Sequence, residues 1–420
     1  MSSVAEGTDT GAAAKLPTEI WALIGANAIV ALGYGLVAPV LPELALHFGV
    51  SISAATFIIT AFAVMRLLAA PPTGLLVQRL GERRIYISGL FIVALTTIAC
   101  AFAQDYWHLL LYRGLGGIGS TMFFVSALGL MIRMSPPDAR GRVAGLFAGA
   151  FLVGSVAGPV LGSLTAGLGL RAPFLMYGAL LVVAALVVLI GLRNSPLAGP
   201  AAPEEGAVTL RVALRLEAYR SALLSNFATG WSLFGLRFAL VPIFVEQVLD
   251  KQPRNVAGLA LAAFAVGNVA VVSYSGRLSD RIGRKPLLIG GLLLSAGSTA
   301  ALGFTESLPV FFVEAVVAGA ASGVYASPQQ AAVADIIGKA RGGTAIAAFQ
   351  MMADLGSIVG SFGVGLLAQE LSFEWAFAVS GAILFLAALG WVLAPETRGQ
   401  EPAEHQQAPP VRPEASGELL

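Results

Sequence analysis

The sequence has almost none of the groups from which soluble catalytic sites are built. Cysteine occurs once, at Cys100, which excludes an internal disulfide and any cysteine-based metal cluster. The three histidines, His47, His108 and His405, are scattered, and no HExxH or CxxC spacing exists, so neither a metal centre nor a cofactor is expected. No GxxxxGK[ST] loop is present, so the chain does not itself couple to ATP hydrolysis. Charge is scarce too. Asp, Glu, Lys and Arg make up 12% of the chain, against about 25% in ordinary soluble domains. A net charge of +1 gives no electrostatic case for binding nucleic acid.

What the chain has instead is hydrophobic length. Hydrophobic residues are 57% of it, and a helix needs about 20 mostly apolar residues to cross a bilayer. Twelve stretches qualify: 19–41, 53–77, 85–103, 106–131, 141–168, 173–192, 223–248, 256–279, 286–304, 309–336, 343–369 and 375–393. The expected fold is an all-α membrane protein whose twelve transmembrane helices form two six-helix bundles, 19–193 and 221–394. Residues 1–18 are polar and lack the pattern of a cleavable signal peptide. Residues 395–420, rich in Pro, Glu and Gln, read as a disordered tail. The 194–220 segment reads as a linker, and Arg211, Arg215 and Arg220 among apolar residues predict a short helix on the membrane surface within it.

The basic residues give an orientation. Of the 25 Lys and Arg, nineteen fall on the side that carries both termini, three (Arg171, Lys251, Arg254) on the other, and three (Arg66, Arg113, Arg237) inside spans. Cytoplasmic loops collect positive charge, so both termini are expected in the cytoplasm of a protein embedded in the cell membrane.

The two halves repeat. Ala61-Phe62-Ala63-Val64 recurs as Ala263-Phe264-Ala265-Val266, and at the same offset Gly74, Gly81 and Gly89 match Gly276, Gly283 and Gly291. Hydrophobic half-chain repeats are built to rock against each other around a central site. The loop after span 8 runs Gly276-Arg277-Leu278-Ser279-Asp280-Arg281-Ile282-Gly283-Arg284-Lys285, and its first copy contains Gly74, Gln78, Arg79, Gly81, Glu82, Arg83 and Arg84. The loop resembles the G-x-L-x-D-R-x-G-R-[KR] motif of the major facilitator superfamily. Span 5, with Gly154, Gly158, Pro159 and Gly162, resembles the G-x-x-x-G-P-x-x-G motif of that superfamily's drug:proton antiporters. The resemblance implies a cytoplasmic gate in which Asp280 faces the start of span 5 near Gly141 and Gln78 faces the start of span 11 near Gly343. Gln78 stands where the family has Asp, which implies a weaker latch there.

Charges inside spans are functional by default. Arg113 resembles the arginine of the family's span-4 motif, and its repeat mate is Glu314. Glu314 is expected to pair with Arg113, with Arg237 or with both. Asp354 in span 11 and Glu314 are the candidates to carry a proton. The resemblance implies that spans 2 and 11 pack against each other where the halves meet; Arg66 in span 2 and Asp354 in span 11 lie at matched depth, about 18 and 17 Å from the gate end at ~1.5 Å per residue, so an ion pair across the two halves is expected. The alternative is that Asp354 faces the cavity alone. The resemblance implies that spans 1, 4, 7 and 10 line the cavity, so the candidate cavity residues are Asn27, Tyr34, Phe123, Phe124, Asn226, Trp231, Phe234, Tyr325, Gln329 and Gln330. Aromatics with a few amides suit a bulky amphipathic, weakly polar or cationic compound. The sequence therefore predicts a monomeric, proton-coupled exporter of small molecules that works in a lipid bilayer. A transporter of an endogenous metabolite is the near alternative, and a membrane enzyme or sensor the distant one.

Overall fold

The computed structural model describes residues 17–134, 140–193, 210–249, 255–337 and 343–398; the side chains of Gln78, of several residues between 128 and 166, and of Asn255, Gly343 and Thr344 lie outside the description. The described elements are all helical. In the first half they are α1 (Thr18–Val37), α2 (Val40–Leu46), α3 (Ile52–Leu80), α4 (Glu82–Ala101), α5 (Tyr106–Met134), α6 (Arg140–Thr165) and α7 (Ala172–Gly191). In the second they are α8 (Leu210–Ala213), α9 (Glu217–Gly230), α10 (Val241–Phe244), α11 (Asn255–Ile282), α12 (Lys285–Leu302), α13 (Leu308–Ile337), α14 (Gly343–Glu370) and α15 (Phe373–Leu393). Among the described residues eleven helical stretches are long and apolar enough to cross a membrane. The remaining expected span is α6, a helix of 26 residues whose side chains are only partly described.

Local chemistry sets the boundaries. Ser51 caps α3 by accepting the Ala54 amide at 3.3 Å, and Asp105 accepts the His108 amide at 2.8 Å at the head of α5. The reversals after α3 and α11 are made by Gly81 (φ 82°) and Gly283 (φ 104°), repeat mates in a backbone region that side chains with a Cβ avoid. Span 7 is not a plain α-helix. After α9 it winds as a π-helix over Trp231–Leu240, returns to α10, and widens again over Val245–Leu249. Pro242, inside this span, has no amide hydrogen to give the ladder. Among the described residues the predicted surface helix shows the single turn α8, and Arg220 already belongs to α9. Apolar packing explains this: Ala213, Leu210, Val212 and Leu216 tuck into the second bundle's core instead of standing apart.

Each half packs the same way. α1 lies on α6 and α7, α3 on α5, and α4 on α5 and α7; likewise α9 and its π-helical extension lie on α14 and α15, α11 on α13, and α12 on α13 and α15. The halves meet along α3 with α14 and along α6 with α11. Large apolar side chains such as Leu164, Ile190, Val313 and Leu393 stand exposed on the outside, which is stable only where the surrounding solvent is lipid.

The contacts between halves are uneven. Ser53 donates to Gln369 at 2.8 Å, Thr60 and Ser361 share a hydrogen bond at 2.7 Å, and Phe57 meets Phe362 edge-on at 5.9 Å. Tyr34 of α1 meets Phe234 and Phe238 of span 7 at 6.3 and 5.4 Å. All of these lie at mid-depth or toward the end away from the termini. Among the described residues no cross-half hydrogen bond or ring contact lies at the terminal end.

Candidate transport site

Where the halves meet, α3 and α14 bring Arg66 and Asp354 together. Arg66 Nε lies 3.1 Å from Asp354 Oδ1, and Nη2 donates to Oδ2 at 3.5 Å. The Nε hydrogen is angled off its oxygen, so that part of the contact is charge attraction rather than a hydrogen bond. Nη1 donates to Ser120 Oγ on α5 at 3.2 Å, and the guanidinium lies 5.8 Å from the Phe124 ring. Thr121 donates to the Arg66 carbonyl at 2.9 Å. The side chains of the pair retain 26% and 22% of their exposure, enough for water and protons to reach them. The alternative expectation, a solitary Asp354, does not hold in this structure.

Glu314 is elsewhere. Its carboxylate accepts a hydrogen bond from Thr305 and forms no ion pair with Arg113 or Arg237. Arg113 instead lies over Phe62 at 4.0 Å and near Tyr34 at 5.8 Å. Arg237 lies over Phe264 at 3.8 Å and donates to Ser232 at 3.0 Å. The expected pairing fails because α13 holds Glu314 against the α12–α13 loop, whereas the aromatic faces of α3 and α11 take the guanidinium groups.

The proposed cavity residues divide. Tyr34 and Phe234 lie together where the halves meet, with Phe124 partly exposed below them. Trp231, Tyr325 and Phe123 are packing residues. Trp231 sits over Gly360 and Gly363 and donates to Ser380 at 2.9 Å; Tyr325 rests on Gly291; Phe123 is buried edge-on to Tyr86 at 6.3 Å. Asn226 and Gln329 bond to each other at 3.0 Å, and Asn226 also donates to the Phe349 carbonyl. Asn27 is buried and Gln330 exposed. A separate cleft of about 760 Å³, lined by Phe48, Phe57, Tyr106 and Trp107, opens at the far end away from the charged pair.

The glycine motif of α6 presses it onto α1. A Cβ at Gly154 would stand 2.6 Å from Ala31 Cβ, one at Gly158 2.4 Å from the Leu32 carbonyl, and one at Gly162 2.9 Å from the Leu36 carbonyl. Pro159 packs on Gly35. The gate loops are anchored within their own halves. Arg83 donates to the carbonyls of Leu189 and Arg193 at 3.2 Å, and its repeat mate Lys285 to those of Val392 and Ala394 at 2.8 and 2.7 Å. A basic side chain thus caps the last carbonyls of α7 and of α15. Arg284 pairs with Asp335 at 3.1 Å and with Asp280. Glu396 accepts the amides of Arg284, Lys285, Thr397 and Arg398 at 2.9 to 3.1 Å. Burial pushes its carboxyl up, but these four donors outweigh that and hold it below the usual glutamate value. Arg79 and Arg281 are exposed. Asp280, expected to reach across to α6, is exposed and occupied by Arg284; the start of α6 at Gly141, the Gln78 side chain and Gly343 lie outside the described side chains.

Sequence reasoning missed Ser120, Thr60 and Ser361, small polar residues with no pattern to mark them. It also passed over Phe62 and Phe264 as arginine platforms, although both stand inside the repeated Ala-Phe-Ala-Val.

Comparison with known proteins fits this architecture. The chain is 26% identical over 305 residues to "Multidrug resistance protein 2" of Bacillus subtilis (strain 168), covering 69% of this chain and 75% of the relative. It is 26% identical over 375 residues to "Tetracycline resistance protein, class G" of Vibrio anguillarum, covering 86% and 93%. A human "Synaptic vesicular amine transporter" is 24% identical over 331 residues, covering 78% of this chain and 63% of the relative. Among solved structures, a bacterial homologue of the human lysosomal transporter Spinster, inward-facing and occupied, superposes with a TM-score of 0.73 at 17% identity, over 89% of this chain and 95% of that one. The sequence profile of the Major Facilitator Superfamily matches residues 23–252 and 222–419; this chain is a member of that superfamily, a multi-pass membrane transporter.

Proposed function

We propose that this transporter is a proton-driven exporter of small amphipathic molecules. It works as a monomer in the cytoplasmic membrane with both termini in the cytoplasm. The observation that carries the reading is the Arg66–Asp354 pair, which ties α3 of one half to α14 of the other. With the termini inside, cargo enters between the halves from the cytoplasm. Protonating Asp354 removes the attraction to Arg66 and loosens the α3–α14 seam, so a proton taken from outside is linked to the change of access. One proton moving through 100 mV supplies about 2.3 kcal/mol before any pH gradient is counted. Support for export comes from the α6 glycine motif and from the resistance-protein relatives. The likeness to vesicular amine transporters supports a second reading, carriage of an endogenous compound on the same scaffold.

The test is efflux from proteoliposomes under an imposed pH gradient. Wild-type protein is expected to move a fluorescent amphipathic cargo only while the gradient lasts, and Asp354→Asn to bind cargo yet ignore the gradient. Gradient-driven transport by Asp354→Asn at the wild-type rate contradicts the reading.

A further inference from the structure

Three arginines and two carboxylates lie deep in the spans, yet only Arg66 and Asp354 meet. Arg113 and Arg237 are 6% and 4% exposed and have no counter-charge among the described residues. Arg113 Nε and Arg237 Nη2 make no hydrogen bond at all. Each guanidinium rests instead on an aromatic face, Phe62 at 4.0 Å and Phe264 at 3.8 Å. A cation–π contact returns only a fraction of what it costs to take a guanidinium out of water. The carboxylate that would neutralise one of them, Glu314, is held by Thr305. Two uncompensated guanidinium groups therefore stand inside the spans, one in each half, and Arg113 is the one beside the seam. It lies 5.8 Å from the ring of Tyr34, which spans the seam to Phe234 and Phe238 of the other half.

We propose that the cargo is an organic anion, its acidic group seated against Arg113 and its apolar body against Tyr34, Phe234 and Phe238, with Arg237 keeping the field of the path positive. A carboxylate or sulfonate supplies the charge that Arg113 lacks, and binds a guanidinium through two parallel hydrogen bonds. An organic ammonium meets the opposite situation, since the carboxylate facing the seam, Asp354, is already spent on Arg66 and two buried cations repel it. This cargo class rests on the exporter reading and adds to its energetics. An anion leaving and a proton entering both move charge down an inside-negative potential, so each cycle draws on it twice.

The experiment titrates the purified full-length protein in detergent at pH 7 with 1-naphthoate and with protonated 1-naphthylmethylamine, two probes of one shape and opposite charge. Naphthoate is expected to bind at least tenfold more tightly than the amine. Arg113→Gln is expected to lose at least tenfold in naphthoate affinity with no loss for the amine, and Arg113→Lys to keep most of the preference. Equal binding, preference for the amine, or no binding of naphthoate overturns the proposal, as does full naphthoate affinity in a folded Arg113→Gln. Should Arg113→Gln not fold, the two probes on the wild-type protein decide alone. Equilibrium binding does not depend on proton coupling, so loss of gradient-driven efflux with intact naphthoate preference tells against the exporter reading and not against the anionic cargo.

Discussion

The two halves share a scaffold and differ in where they put charge. α6 closes on α1 through Gly154 and Gly158, and α14 closes on span 7 through the repeat mates Gly356 and Gly360, where an added Cβ would stand 2.0 Å from the Phe227 carbonyl and 2.8 Å from Trp231 Cα. Arg83 and Lys285 cap equivalent helix ends. Phe62 and Phe264 each carry a guanidinium, yet Arg113 comes from α5 and Arg237 from the π-helical part of span 7. Arg66 has no basic mate, because Asn268 stands there, and Asp354 has no acidic one, because Leu152 does. Backbone-level features such as glycine slots and caps repeat, since both halves solve the same packing problem. The ionisable groups deep in the spans break the repeat, and among the described residues the one ion pair they form spans the seam.

Substitutions can break this comparison at several strengths. The largest effect is expected at the seam. Arg66→Ala or Asp354→Ala leaves the other charge unpaired, which costs about 3–5 kcal/mol for a buried pair and somewhat less at this partial exposure; transport is expected to fall by two orders of magnitude or more (about 1.4 kcal/mol per decade) in a vesicle efflux assay. Next come the glycine slots. Gly356→Val and Gly154→Val are each expected to destabilise by about 1–3 kcal/mol or more through overpacking, seen as a lower melting temperature of the purified protein. Tolerance of one and not the other would show that the halves do not close alike. A smaller contrast lies within one gate loop. Gly81→Ala strains a positive φ and costs about 1–2 kcal/mol, whereas Gly74 has nothing within 4 Å of its Cβ position, so Gly74→Ala is expected to be neutral or to stabilise α3 by about 0.5–1 kcal/mol.

The smallest effect concerns pH. The Glu396 carboxyl lies below its ordinary value in the folded protein, so its stabilisation is present above the unfolded value and is lost as pH falls through the folded one. Glu396→Gln should therefore melt a few degrees below wild type at neutral pH. That gap should close as the pH is taken below roughly 4, beneath the ordinary glutamate value of about 4.3. A gap that widens on acidification means that Glu396 is not held by its charge.

Much of this molecule was legible in its sequence because bilayer physics is severe. The spans, the half-chain repeat and the positive turn glycines follow from hydrophobic length and a handful of fixed spacings. The Arg66–Asp354 contact was legible once the family resemblance set spans 2 and 11 side by side, since two unmatched charges at one depth in a bilayer have few ways to coexist. The fate of Glu314 was not, because a threonine nine residues away can bind a carboxylate as readily as a distant arginine, and nothing in the spacing decides between them. Nor was the division of the aromatics. Trp231 and Tyr34 look alike in sequence, and only the slot at Gly360 and Gly363 shows that Trp231 turns into its own bundle. The docking of α8 onto the second bundle likewise depends on tertiary burial of Ala213 and its neighbours.

The central claim is that Arg66 and Asp354 work as one cross-seam unit. The direct measurement is proton-driven efflux by the exchanged protein, Arg66→Asp with Asp354→Arg, beside the single changes Arg66→Asp and Asp354→Arg at equal expression. Both singles are expected to be inactive, because each places two like charges across a contact of 3.1 Å, and the exchange is expected to recover a measurable part of the wild-type rate. An exchanged protein that folds, reaches the membrane and stays as inactive as the singles would contradict the account.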